Sequence, residues 1–150
     1  MQLIKNTQRA QVARNYSGSI TKVFSGPNKE QRFENEVRIL QYLNQQRCPF
    51  VPSLIEHDSE SLSITTSYVG EPVQTISEQR LDQVFEELTE YGVRHDDPAQ
   101  RNVLYNHILG RFTLIDFEFA EILESCPNSF GEIDRRIDQA EMLLDMACSI

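Results

Sequence analysis

Two short apolar runs, Val103-Leu104-Tyr105 and Phe112-Thr113-Leu114-Ile115, stand on either side of the turn-rich stretch His107–Gly110. Runs of aromatic, β-branched and aliphatic residues bounded by Asn and Gly read as strands, and a short polar turn between two of them closes a hairpin. This constrains the chain more than any other feature, because pairing brings the flanking residues together whatever lies between them. The flanks carry the chemistry: His95, Asp97 and Asn102 precede the first run, and Asp116 directly follows the second. A hairpin over these runs places Asn102 and Asp116 at its open end. Two carboxylates and an amide at strand ends are oxygen donors of the kind a hard divalent cation takes. Mg²⁺ binds one or two protein carboxylates and completes its shell with phosphate oxygens and water.

Periodicity divides the rest. Residues 2–26 read as three strands, opening at Leu3-Ile4 and Gln11-Val12-Ala13 and, after the turn Asn15–Gly18, running from Ser19 to Phe24. In the third, Ile20, Lys22 and Phe24 share a face. A lysine there ordinarily lays its stem over apolar surface and keeps its ammonium in water. Asn28, answered by Gln31, is a helix cap, and Phe33, Val37, Leu40 and Leu43 predict an amphipathic helix over 29–46. That helix carries Glu34 and Glu36; a helix carboxylate is ordinarily solvated, but Glu36 borders the apolar face. Pro49–Pro52 ends the helix, and a strand pair over 54–57 and 62–68 follows. At 67–72 the pattern changes from strand to helix, which predicts a hinge between a part spanning about 1–69 and one spanning about 73–150. Thr75-Ile76-Ser77-Glu78 fits a capping box for a helix with Leu81, Val84, Phe85 and Leu88 inward, closed by Gly92. A last helix is expected from Glu132, with Ile133, Ile137, Ala140 and Leu144 inward.

A chain of 150 residues suits one domain that buries a core without staples. Its net charge of −9 argues against a nucleic-acid surface, which needs clustered Lys and Arg. Cys48, Cys126 and Cys148 are far apart and lack CxxC spacing, which points to neither a disulfide framework nor zinc. With no apolar run of membrane length and no leader pattern, no membrane span is expected and the protein reads as cytoplasmic.

Together these residues resemble the protein-kinase-like superfamily over roughly 10–145. HDDPAQRN is similar to that superfamily's His-Arg-Asp-x-x-x-x-Asn loop, and IDFE stands where Ile-Asp-Phe-Gly would. The resemblance implies Asp97 as catalytic base and Asn102 and Asp116 as metal ligands. It also implies Lys22 paired with Glu36 on the α- and β-phosphates, and Ser67, Tyr68 and Val69 as an adenine-gripping hinge. The fold so implied is α+β and two-lobed, a single minimal kinase-like domain with a small β-rich N-lobe carrying one helix and a reduced, mainly helical C-lobe. Asp134 or Asp138 would brace the catalytic loop. The function so implied is an ATP- and Mg²⁺-dependent phosphotransferase, foremost an atypical protein serine/threonine kinase. A small-molecule or sugar kinase of the same fold is the first alternative, and a nucleotide-binding or scaffolding pseudokinase the second. The chain departs from the pattern in having no Gly-x-Gly-x-x-Gly before Lys22, Glu118 in place of the Gly, and no Ala-Pro-Glu after it. In economy it is nearer to the RIO-type and lipopolysaccharide kinases.

Overall fold

In the computed structural model, residues 2–123 are described. Strands β1 (Gln2–Asn6), β2 (Ala10–Arg14) and β3 (Ile20–Phe24) lead to helix α1 (Lys29–Gln45), then to β4 (Leu54–Asp58) and β5 (Ser63–Thr66). These five strands make one antiparallel sheet in the order β1-β2-β3-β5-β4. β3 is therefore central, and Lys22 lies between Val12 on one side and Ile64 on the other. Helix α1 buries Phe33, Val37, Ile39, Leu40 and Leu43, and Phe33 meets Phe24 of β3 edge to face at 5.8 Å. The expected side-chain cap at Asn28 is absent. Asn28 instead takes the left-handed conformation at φ 59°, which Asn tolerates, and its carbonyl accepts the Arg32 N–H at 2.9 Å.

Beyond β5 come β6 (Glu71–Pro72), helix α2 (Glu78–Thr89), β7 (Val93–Arg94), a 3₁₀ turn over Gln100–Asn102, β8 (Val103–Asn106), β9 (Arg111–Leu114) and β10 (Glu121–Ile122). Ser77 caps α2, its hydroxyl accepting the Arg80 N–H at 3.1 Å, so the cap falls two residues later than the Thr75 box. β8 and β9 form the expected hairpin, with Val103 opposite Leu114, and β6 pairs along the other edge of β8. β7 pairs with β10.

This architecture corrects the kinase-like, two-lobed fold with a mainly helical C-lobe that the sequence suggests. The described chain holds two α-helices, of which only α2 follows residue 70, and the rest of that half is short antiparallel strands. The reason is local. Runs of two to four residues are too short to nucleate a helix, and each finds a strand partner. A single apolar cluster also runs through both halves, from Phe24, Leu40 and Ile64 through Phe85 and Leu88 to Val103, Leu114 and Phe117. The helix expected from Glu132, with Asp134 and Asp138, lies outside the described residues, as do Cys126 and Cys148. Cys48 is buried, and burial pushes its thiol up to about 11. Among the described residues no helix is long and apolar enough to cross a membrane.

Candidate functional site

Lys22 points from the middle of β3 into a nest of carboxylates. Its Nζ lies 2.8 Å from Glu36 Oε1, 3.2 Å from Asp116 Oδ1 and 2.6 Å from Glu118 Oε2. Three elements meet in it. The central strand supplies the ammonium, α1 supplies Glu36 on its inward face, and the turn after β9 supplies Asp116 and Glu118. The bland reading of Lys22 and Glu36, a solvated lysine and a solvated helix acid, does not hold, because their side chains are 11% and 5% exposed. A second cation stands behind the first: Arg32, 3% exposed, donates from Nη1 to Glu118 Oε1 at 2.8 Å. Arg32 also donates to the carbonyls of Pro27, Arg9 and Ser25, so four of its five N–H groups are engaged.

Charge explains how the groups titrate. Burial alone would depress the Lys22 ammonium, but the fields of Glu36, Asp116 and Glu118 outweigh it and hold lysine above its ordinary value. Burial raises Glu36, and the Lys22 ammonium offsets this only in part because Asp116 pushes the same way. Asp116, the most exposed of the three, is pushed up by burial, yet the Lys22 field together with its hydrogen bonds to Glu118 and Lys22 outweighs that and holds it below the usual carboxylate range.

A second group sits beside the first. The Asn102 amide donates to Asp97 through its backbone carbonyl at 2.9 Å and its Oδ2 at 3.0 Å, and Arg101 Nη2 reaches the same Oδ2 at 2.5 Å. The His95 Nδ1 accepts the Asp97 N–H at 3.1 Å, which leaves Nε2–H to donate to the Ile115 carbonyl at 2.9 Å. His95 is thus the neutral Nε2–H tautomer, packed edge to face against Phe85 and tilted against Phe117, each ring centroid 5.1 Å away. It anchors Asp97 to the strand that leads into Asp116. Ile115 N–H also donates to the Asn102 carbonyl at 3.0 Å, extending the hairpin ladder by one bond.

The sequence-marked residues therefore fall into two bonded sets, Lys22–Glu36–Asp116 and Asp97–Asn102, linked through His95 and Ile115. Among the described residues no hydrogen bond joins Asn102 to Asp116 directly; the backbone bond ties Asn102 to Ile115, the residue before Asp116. Ser67, Tyr68 and Val69 lie just past the end of β5. The Ser67 N–H is bonded to Ser53 O at 3.0 Å, and the Val69 carbonyl accepts Thr113 Oγ1 at 3.0 Å, so part of the segment's backbone is engaged within the protein. A groove of about 420 Å³ between α1 and β4, lined by Phe33, Val37, His57 and Asp58 among others, includes none of these residues.

Sequence reasoning misses two members of the site. Glu118 reads there only as a replacement for glycine, and Arg32 is not singled out. Arg32 stands one helical turn before Glu36 and so on the same face, which is the signal that marks it. Comparison with known proteins found no family model that matches the chain and no curated protein that matches it in sequence.

Proposed function

We propose that the protein is an ATP- and Mg²⁺-dependent phosphotransferase with a hydroxyl acceptor, foremost a protein serine or threonine. The observation that carries this reading is the convergence on one ammonium of Glu36, 14 residues on, and Asp116, 94 residues on. Phosphoryl transfer asks for positioning and charge neutralisation more than for covalent chemistry, and a lysine oriented by a helix glutamate beside a metal-binding aspartate supplies both. The donors fit Mg²⁺, a hard cation that prefers oxygen. Asp116 offers a carboxylate, and the Asn102 amide, which donates through its nitrogen to Asp97, offers its carbonyl oxygen. Bound Mg²⁺ supplies charge neutralisation at the phosphate oxygens. Lys22 holds the α- and β-phosphates, with adenine toward Ser67, Tyr68 and Val69.

Asp97 orients the acceptor. Its Oδ2 is held by Arg101 and Asn102, so Oδ1 is the oxygen that takes the hydroxyl proton while the acceptor oxygen bonds to the γ-phosphorus and ADP departs. Replacement of Asp97 by Asn removes the base and keeps the shape. Asp97→Asn is expected to lower phosphate transfer from radiolabelled ATP by roughly 10²–10⁴-fold. Stabilisation by Mg·ATP in a thermal titration should persist, because the binding groups are untouched. Transfer at the parent rate would remove Asp97 from the reaction.

One observation favours a second reading, a nucleotide-binding or scaffolding module without transfer. Lys22 is already closed off by Glu118, and the turn between β1 and β2 carries no glycine to admit phosphate to its backbone. Mg·ATP stabilisation without transfer to any protein or sugar hydroxyl would select it.

A further inference from the structure

The partner nearest to Lys22 is Glu118, and three features hold it there. Its Oε2 is 2.6 Å from the ammonium, inside the distances to Glu36 and Asp116. Its other oxygen is clamped by Arg32, which is 3% exposed and tied to the β1–β2 turn and the β3–α1 loop. Its backbone carbonyl accepts Asn35 Nδ2 at 2.8 Å, so α1 grips the residue at both ends. A surface ion pair held by neither side contributes little. Here the Glu118 side chain is 5% exposed, and a charge-assisted bond in such a setting is among the stronger ones.

A carboxylate and a phosphate ask the same thing of an ammonium, namely oxygen at hydrogen-bond distance carrying negative charge. Three carboxylates already face two cations around Lys22, so the field there is negative before any nucleotide arrives. Next to this segment, Arg9 of the β1–β2 turn lies over the Phe119 ring at 5.2 Å, which lowers that turn onto the same stretch.

We propose that Glu118 is an internal competitor for Lys22: its carboxylate occupies the place on the ammonium that a nucleotide phosphate takes, and nucleotide binds by displacing it. The inference rests on the nucleotide reading above. Glu118 acts through Lys22 and is a positioning residue. It sets affinity, and a residue with only a structural role would lower binding when changed, whereas loss of a competitor raises it.

The test is titration calorimetry of the full chain with Mg·ADP, which carries the two phosphates assigned to Lys22. Glu118→Gln keeps the shape and an acceptor for Arg32 while removing the charge, and it is expected to tighten Kd by about ten- to a hundredfold. Glu118→Asp keeps the charge against Arg32 and draws the carboxylate back by one methylene; it should fall between the two. It carries the measurement should the Gln variant not give a native circular dichroism spectrum. Binding by the Gln variant where the parent shows none is the strongest supporting result. Equal affinity in parent and variants, or weaker binding in the variants, overturns the competitor and leaves the nucleotide reading standing. No binding by any of the three overturns both.

Discussion

At Asp116 the backbone takes φ 71°, a left-handed conformation that costs a residue with a Cβ about 1–2 kcal/mol. The turn it makes sends successive groups in different directions. The Asp116 carboxylate reaches Lys22, the Phe117 N–H donates to Glu36 Oε2 at 3.2 Å, and the Phe117 ring enters the core with no exposure. His95 supports this corner from below, and only as a neutral ring, since its Nδ1 must accept from Asp97. Burial holds its pKa below the ordinary 6.5, against the pull of the Ile115 carbonyl and of Asp116, Asp97 and Asp96. The sign follows from proton linkage. The unfolded state takes up the proton first, so the stability contributed by neutral His95 is present above pH 6.5 and is lost as pH falls toward the folded value. Glu36, whose folded value is raised, works in the opposite sense above its ordinary 4.5, so parent and variant must be compared as a difference. His95→Gln, which can still donate and accept, is expected to be less stable than the parent near neutral pH. Its urea midpoint should also fall less than the parent's when pH drops from about 7.5 to about 5.5. Equal falls would assign the acid sensitivity to another group.

The passage from β5 to β6 depends on Gly70. Its φ is 152°, and a Cβ there would stand 2.5 Å from the Tyr105 carbonyl oxygen in β8, a backbone atom that cannot swing away. Gly110, in the β8–β9 turn, has φ 68° and open space around it. Gly70→Ala is therefore expected to cost roughly 1–3 kcal/mol and to loosen the β6–β8 pairing. Gly110→Ala meets only the left-handed penalty of about 1 kcal/mol, and urea denaturation of the two variants ranks them. The contrast shows what a sequence discloses. Gly70 and Gly110 look alike as letters, each between an aliphatic and a charged residue, and only the neighbour across the sheet separates them. The hairpin was legible because both its strands and its turn lie in one continuous stretch. Lys22 and Glu36 were paired only through the resemblance; read alone, each borders an apolar face and is ordinarily solvated. Arg32 and Glu118 were not legible as a pair, since their meeting depends on the β1–β2 turn, α1 and the chain after β9 arriving together. The helical second lobe was read from the change of pattern at 67–72 and from a helix expected from Glu132, which lies outside the described residues; among the described residues that half holds α2 and short antiparallel strands.

For the molecule as a whole, the decisive fact is that its apolar interior is continuous. Leu40 of α1 and Leu114 of β9 belong to one cluster, at 1% and 0% exposure, although one sits under the five-stranded sheet and the other in the hairpin. The buried ion network spans the same divide, because Lys22, Arg32 and Glu36 come from the first half and Asp116 and Glu118 from the second. Two lobes with separate cores would melt separately. A shared core and a shared charge network predict one transition, seen at the same denaturant concentration by far-ultraviolet circular dichroism and by tyrosine fluorescence. Leu40→Ala and Leu114→Ala each leave a cavity costing about 2–5 kcal/mol, a large part of the roughly 5–15 kcal/mol that holds a domain folded. Each should lower Tm by roughly 4–20 °C while keeping both probes coincident. If Leu114→Ala instead split the curve, with the sheet and α1 surviving after the hairpin had melted, the halves would be independent units. Lys22 would then lose two of its three carboxylates in the first step, and under the proposed function any stabilisation by Mg·ATP should vanish with the earlier transition.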